Sequence, residues 1–396
     1  MSLSAKQSAA NKVGAMPEDV AKLRLARTEG VGPLTYLRLM SRFPSAADAI
    51  RALPDMARAA GRSSLEVCPE ATAAREIKAL RKLGGRMIFL GGHDYPPLLA
   101  LLPDPPPVLS VLGDVKVLTT RGVGMVGARN ASANGQRMAE ALAAELAAQP
   151  ITVVSGLARG IDAAAHAGAM QTGRTVAAVA GGLDQPYPPE HADLQARIAA
   201  NGAVVSEAPL GTAPMSRHFP RRNRIIAGLA LGVVVVEAAL RSGTLITARL
   251  AQDAGREVFA VPGSPLDPRC RGSNDLIRQG AHVTEAAADV LAQLPDHPLR
   301  QGITRSPLFA HDTSPGLAEP SPPSPAADPP ETQLTRVRAE LESLLSASPT
   351  EIDVAIRHSQ FAPSAVMAAL SQLELALRVE ILPGNRVCLL ARQRAG

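Results

Sequence analysis

From Glu18 to about Leu80 the apolar residues recur at helical spacing, with LRLARTEGVGPLTYLRLMSRF at the centre. Beyond Gly85 the pattern changes. Short apolar runs at Met87–Leu90, Val123–Val126, Ile151–Val154, Val176–Ala180, Val204–Val205, Val233–Val236 and Val258–Val261 alternate with Ala-rich stretches such as Gly135–Ala148. The run Gly232–Ala238 (GVVVVEA) is β-branched at successive positions, as in a strand buried on both faces. Such alternation predicts a doubly wound, mostly parallel Rossmann-like sheet over residues 85–294, preceded by a helical domain over 18–84. Residues 1–17 are small and polar and read as a disordered tail. Residues 295–331, dense in proline and serine, read as a flexible linker. In the last unit, 332–396, three helices are expected at Thr335–Ser346, Thr350–His358 and Pro363–Leu377. A hairpin turning at Pro383-Gly384-Asn385 follows, which completes a winged-helix shape.

Several turns in this pattern carry chemistry. Gly30-Val31-Gly32-Pro33 lies between two amphipathic segments, and Pro33 can start the second helix. This fits a helix-hairpin-helix, whose free amides grip a backbone phosphate, and equally an ordinary αα-hairpin. GVGMVG (122–127) matches G-x-G-x-x-G, but its glycines interrupt a strand and the acid some twenty residues on is Glu145, inside a helix. It is therefore no dinucleotide fingerprint. What remains is Arg129, projected at a strand's carboxyl end. Ser155-Gly-Leu-Ala-Arg-Gly-Ile-Asp162 follows a strand and opens a helix, a place where amides and the helix dipole favour an anion. Asp162 also reads as a helix cap, and His166, one turn on, as a packed, hydrogen-bonded histidine. Gly181-Gly182-Leu183-Asp184 with Tyr187-Pro188, and Ser242-Gly243-Thr244, are further strand-end turns. Together they outline a phosphate-friendly edge.

Charge sharpens this picture. The net charge is +5 with a pI near 9.4, which permits a nucleic-acid partner without requiring one. Between Arg217 and Arg224 stand four arginines and one histidine in eight positions. A cluster wider than one phosphate needs points to a polyanion, and guanidinium forks suit phosphate. Aromatics are only 2%, so base stacking would rest on Phe219, Tyr187 or arginine planes. The three cysteines, Cys68, Cys270 and Cys388, lack metal-ligand spacing, and no zinc or other metal site is expected. There is no secretory signal and no run near the ~20 apolar residues of a membrane span. The expectation is a soluble cytoplasmic protein without a cofactor. No nucleophile elbow, Walker loop or HExxH motif appears, so no catalytic residue is assigned.

Taken together, Val126-Gly-Ala-Arg129, SGLARGID (155–162), GGLD (181–184) with Tyr187-Pro188, FPRRNRII (219–226), SGTLITA (242–248) and Val261-Pro-Gly263 resemble the DprA/Smf family. The flanking units resemble that family's N-terminal helical and C-terminal winged-helix modules. The resemblance implies a non-enzymatic role: binding and protecting single-stranded DNA and loading the RecA recombinase onto it during natural transformation. It implies DNA contacts at Arg129, Ser155, Gly156, Arg159, Arg217, Phe219, Arg221, Arg222, Asn223 and Arg224, to which the turn Ser242, Gly243 and Thr244 is added. Some members carry a lysine after the Tyr-Pro, where this chain has Pro189. A homodimer is also implied, and Leu276, Ile277 and Val283 form an apolar patch that would serve as interface or as core. Pro363–Leu377 has no lysine or arginine and one acid, Glu374, which suits protein contact better than groove reading. The linker makes this unit an expected appendage with few fixed contacts. The alternative is a phosphoribohydrolase-like enzyme acting on nucleotides, with Glu237 or Asp184 as the essential acid.

Overall fold

The computed structural model describes residues 18–295 and 329–390. The expected tail and nearly all of the expected linker lie outside the described residues. The N-terminal unit holds α1 (Glu18–Arg27), α2 (Pro33–Arg42), α3 (Ala46–Ala59) and α4 (Glu70–Lys82). Pro33 occupies the first turn of α2, where no amide donor is needed. The Ser45 side chain caps α3 by accepting from the Asp48 amide at 3.1 Å. Leu25, Tyr36, Leu39 and Leu53 form the apolar centre of the unit.

The central unit runs β1 (Gly85–Phe89), α5 (Pro97–Ala100), β2 (Val108–Gly113), β3 (Arg121–Gly127), α6 (Ala133–Ala147), β4 (Ile151–Ser155), α7 (Ile161–Thr172), β5 (Thr175–Ala178), α8 (Ala192–Asn201), β6 (Ala203–Ser206) and α9 (His218–Leu229). It continues through β7 (Gly232–Val236), α10 (Thr244–Asp253), β8 (Glu257–Ala260), α11 (Arg271–Arg278), β9 (His282–Val283) and α12 (Ala287–Gln293). The nine strands lie in the order β1-β2-β6-β5-β4-β3-β7-β8-β9. Only the β1–β2 and β2–β6 pairings are antiparallel. Alternate residues of β7 serve opposite layers. Val233 and Val235 pack with Ile225, Ile226 and Leu250 from α9 and α10, and Val234 and Val236 with Leu142, Leu146 and Ile161 from α6 and α7. That division explains the unbroken β-branched run.

All seven predicted strands are present. The sheet holds two more, β2 and the two-residue edge strand β9, which the apolar runs do not mark. From β3 the chain builds outward in two directions, through β4, β5 and β6 on one side and β7, β8 and β9 on the other. The divergence between β3 and β7 is the switch point at which such sheets open a crevice.

The last unit comprises α13 (Glu331–Leu344), β10 (Thr350–Glu351), α14 (Ile352–Ser359), α15 (Pro363–Leu375), β11 (Val379–Leu382) and β12 (Arg386–Leu389). Its three strands take the order β10-β12-β11, and the hairpin turns where expected. The expected appendage with few contacts is not what the structure shows. Leu375 joins the apolar cluster of α1–α3, and Leu34 of α2 joins the winged-helix cluster. Arg62 donates to the Leu375 carbonyl at 3.2 Å and Arg338 to the Ala59 carbonyl at 2.9 Å. The cause lies in α15, which is apolar around most of its circumference and must be covered on more than one side.

Candidate nucleic-acid interface

Helix α9 enters the carboxyl edge of the parallel strands and divides it into two concavities. Phe219, Pro220, Asn223 and Ile226 face a groove of about 880 Å³ at the β3/β7 switch point. His218, Arg221, Arg224 and Ile225 face a smaller cleft of about 230 Å³ that borders all three units. Arg222 lines both. Because a helix turns through about 100° per residue, neighbouring arginines on α9 end in different environments.

Arg129, from the loop after β3, reaches over the Phe219 ring at 5.0 Å, and Tyr187 meets the same ring with centroids 5.8 Å apart. Tyr187 is exposed. Cation and rings thus form one stacked group at the groove wall. The opposite wall is the turn before α10. There the Thr244 hydroxyl donates to the Gly127 carbonyl at 2.9 Å, and Ser242 accepts from the Thr244 amide at 3.2 Å. Arg241 and Arg269 complete the lining, the latter paired with Asp267 at 2.7 Å. Glu237, at a positive φ of 53°, directly follows β7 and accepts from the Ser132 amide at 2.9 Å and from the Ser132 hydroxyl. This carboxylate fixes the loop that carries Arg129.

Beneath the groove, Arg222 is 6% exposed. Gly156 makes its place, since a Cβ there would stand 1.2 Å from the guanidinium. Arg222 lies 3.9 Å from Asp162. Burial raises the Asp162 carboxyl above its ordinary value, and Arg222 opposes the rise. Burial also drives His166 down to about 3, with Arg222 and His191 adding to it. His166 is thus a neutral ring bonded to the Thr175 hydroxyl at 2.7 Å.

The structure brings together Arg129, Phe219, Arg222, Asn223, Ser242, Gly243 and Thr244 from the expected set. The rest stand elsewhere. Ser155 is buried and its hydroxyl donates to the Met125 carbonyl at 2.6 Å. Arg159 is exposed and paired with Glu190, and Arg217 sits exposed at the start of α9. Arg221 pairs with Glu380 of β11 at 3.0 Å. Arg224, 3% exposed, bonds Glu207 at 2.5 Å and lies 3.8 Å from Asp104. Its charge is already matched inside the protein, out of reach of a phosphate in solution. Arg241 and Arg269 went unnoticed in the sequence. Arg241 had a signal, being the residue just before the Ser-Gly-Thr turn.

The two acids considered for catalysis are both engaged away from the groove lining, Glu237 with Ser132 and Asp184 with the Gly211 amide at 2.8 Å. Among the described residues no cluster of three His, Cys, Asp or Glu side chains is placed to hold a metal, and no helix is long and apolar enough to cross a membrane. The expected dimer patch divides: Leu276 is core at 6% exposure, Ile277 packs partly against that core, and Val283 stands 51% exposed on the edge strand β9.

A Rossmann-like sheet with a cationic groove at its switch point, flanked by a helical hairpin unit and a winged helix, defines the class. Comparison with known proteins gives the family. Residues 86–295 match DNA recombination-mediator protein A, residues 17–79 a DprA-like N-terminal HHH domain, and residues 323–385 a DprA winged helix domain. The chain is 42% identical to the DNA processing protein DprA of Bacillus subtilis over 224 residues, 56% of this chain and 75% of that one. It is 37% identical to the protein Smf of Synechocystis over 308 residues, 74% of this chain and 77% of its relative. The X-ray structure of DprA from Streptococcus pneumoniae superposes with a TM-score of 0.61 at 34% identity, covering 70% of this chain and 98% of that one. The chain belongs to the DprA/Smf family.

Proposed function

We propose that this protein binds single-stranded DNA along the β3/β7 groove and, working in the cytoplasm, loads the RecA recombinase onto the bound strand. The observation that carries the reading is the composition of the groove: the exposed Arg129 and Arg241, with Arg269 in the lining, beside the stacked Tyr187–Phe219 pair. A single strand offers phosphates and unstacked base faces together, and this wall matches both. A duplex offers the phosphates but keeps its base faces stacked inside. The role is one of binding, since the buried Asp162 is the acid among the groove-lining residues and its charge faces Arg222.

The test is an anisotropy titration of the full chain with oligo-dT and with duplex across a salt series. Tight single-strand binding with a steep salt slope supports the reading, and equal or stronger duplex binding overturns it. Loading is tested separately, by whether the protein shortens the lag of RecA filament formation on strand coated with single-strand-binding protein. Self-association through β9 is part of the same proposal. Val283→Lys on that exposed edge is expected to leave melting unchanged and to shift sedimentation toward monomer.

A further inference from the structure

We propose that the docked winged helix is a closed state of this protein. In it Glu374 and Glu380 hold donors that a DNA strand would otherwise engage, so that strand binding and docking compete. The inference rests on the single-strand reading above and concerns how that activity is held in check.

Glu374 belongs to α15 but reaches the turn between α1 and α2, accepting from the Gly32 amide at 3.3 Å and from the Thr35 hydroxyl at 2.5 Å. The hairpin is shaped to this partner. A Cβ on Gly32 would stand 2.2 Å from the Glu374 carboxylate, and one on Gly30 would stand 3.0 Å from the Glu374 carbonyl. Glu380, five residues downstream of α15, pairs with Arg221 at 3.0 Å. Both carboxylates thus meet anion-binding features, a hairpin amide with a hydroxyl in one case and an arginine of α9 in the other. Between them lies the smaller cleft, with His218, Arg221 and Arg224 on one wall and Glu374, Ile381 and Pro383 on the other.

Stability alone does not explain this arrangement. The Leu34 and Leu375 contacts already join the two units without any charge. Glu374 is 7% exposed, and among the described residues no salt bridge holds it; the amide and the hydroxyl are its hydrogen-bonding partners there. Burying a carboxylate in that way costs free energy that an apolar residue at the same place would not. Burial accordingly pushes its pKa up to about 7. The Arg221–Glu380 pair is half-exposed, a weak contact that a phosphate can replace. Helix α9 supplies the connection, because Arg222 lines both the groove and the cleft. A strand continuing past the groove over α9 meets Arg221 next, and there its phosphates encounter the acids of the winged helix.

Hydrogen exchange of the full chain, with and without saturating oligo-dT, reads docking directly at residues 30–36 and along α15. Faster exchange at both segments on adding the strand is expected. Glu380→Gln, at a half-exposed site, should tighten oligo-dT binding about threefold, and Arg221→Ala should abolish that gain. Glu374→Gln keeps the acceptor but removes the buried charge that opposes docking, so it is expected to act in the opposite direction and weaken oligo-dT binding. Glu380→Gln keeps the test decisive if that variant folds poorly. Unchanged or slower exchange together with an unaltered affinity of Glu380→Gln overturns the competition while leaving strand binding intact. Failure of the wild-type chain to bind oligo-dT at all overturns the single-strand reading first, and this inference with it.

Discussion

The groove at the β3/β7 switch point and the junction between hairpin and winged helix both present donors to an anion, yet they are built in opposite ways. In the groove the acids lie beneath or beside the cations. Asp162 is buried under Arg222, Glu237 braces the Arg129 loop, and the upper surface keeps Arg129, Arg241 and two aromatic rings. At the junction the acids lie on top, with Glu374 over the Gly32 amide and Glu380 over Arg221. The first arrangement preorganises cations for an outside partner, while the second satisfies them from within. Counting arginines does not separate the two. Where each carboxylate stands relative to solvent does.

The largest effect that tests this contrast is expected at Arg224, which the comparison assigns to the interior. Arg224→Leu strands Asp104 and Glu207 without their cation and should cost about 3–5 kcal/mol in urea unfolding. Asp104 is already pushed up to about 6 by burial, with Arg224 holding it down. Removing Arg224 raises it further, so the lost stability should be greatest above pH 7 and shrink as pH falls and the carboxyls protonate. A stable Arg224→Leu that instead loses strand affinity would place this arginine on the binding side.

Next come Arg129 and Arg241. Each alanine replacement should weaken oligo-dT binding about tenfold, or ~1.4 kcal/mol, and reduce the log–log salt slope by about 0.7. Melting should stay unchanged because neither is buried. An unaltered slope in the double variant would leave the groove without its phosphate contacts.

Much of this architecture is legible in the amino-acid sequence. The β-branched run 233–236 names the central strand, since only a sheet covered on both faces tolerates it, and the alternating pattern places the turns at one edge. The individual arginines were not readable. Arg221, Arg222 and Arg224 look alike in sequence, and their roles depend on α9 being a partition whose two sides meet different carboxylates. Arg269 sits in a loop with no motif around it. The junction was out of reach for another reason. Glu374 stands 342 residues from Gly32, and the Pro/Ser-rich stretch before it reads as a tether, so the apolar excess of α15 was the one clue that it docks.

The junction gives a pH prediction of moderate size. In the docked state Glu374 has a pKa near 7, raised by burial from 4.5, with Arg221 lowering it and Glu380 raising it among the charged groups nearby. A carboxyl raised on docking takes up a proton, so docking is firmest below 4.5, weakens as pH rises through the 4.5–7 window, and is weakest above it. After correction for intrinsic rates, exchange at residues 30–36 should therefore be slower at pH 6 than at pH 8. Glu374→Gln should lose most of that difference. If it keeps the difference, another group, such as Asp104 in the same cleft, controls docking.

The smallest effect is expected at Arg159, and it marks the limit of the groove. This arginine lies in the loop after β4, as Arg129 lies in the loop after β3, and the family resemblance implies a DNA contact for both. Arg159 pairs with Glu190 on the surface and is absent from the groove lining, which takes Ala158 and Asp162 from that segment. An exposed pair of this kind contributes little to stability, so Arg159→Ala should leave melting nearly unchanged. Strand affinity should change by less than about twofold, well under the tenfold that ~1.4 kcal/mol represents. A tenfold loss at Arg159 would show that the bound strand runs past the switch point and across the end of β4. The binding surface would then follow the whole carboxyl edge of the sheet, and the position of α9 would no longer decide which cations are free for a partner.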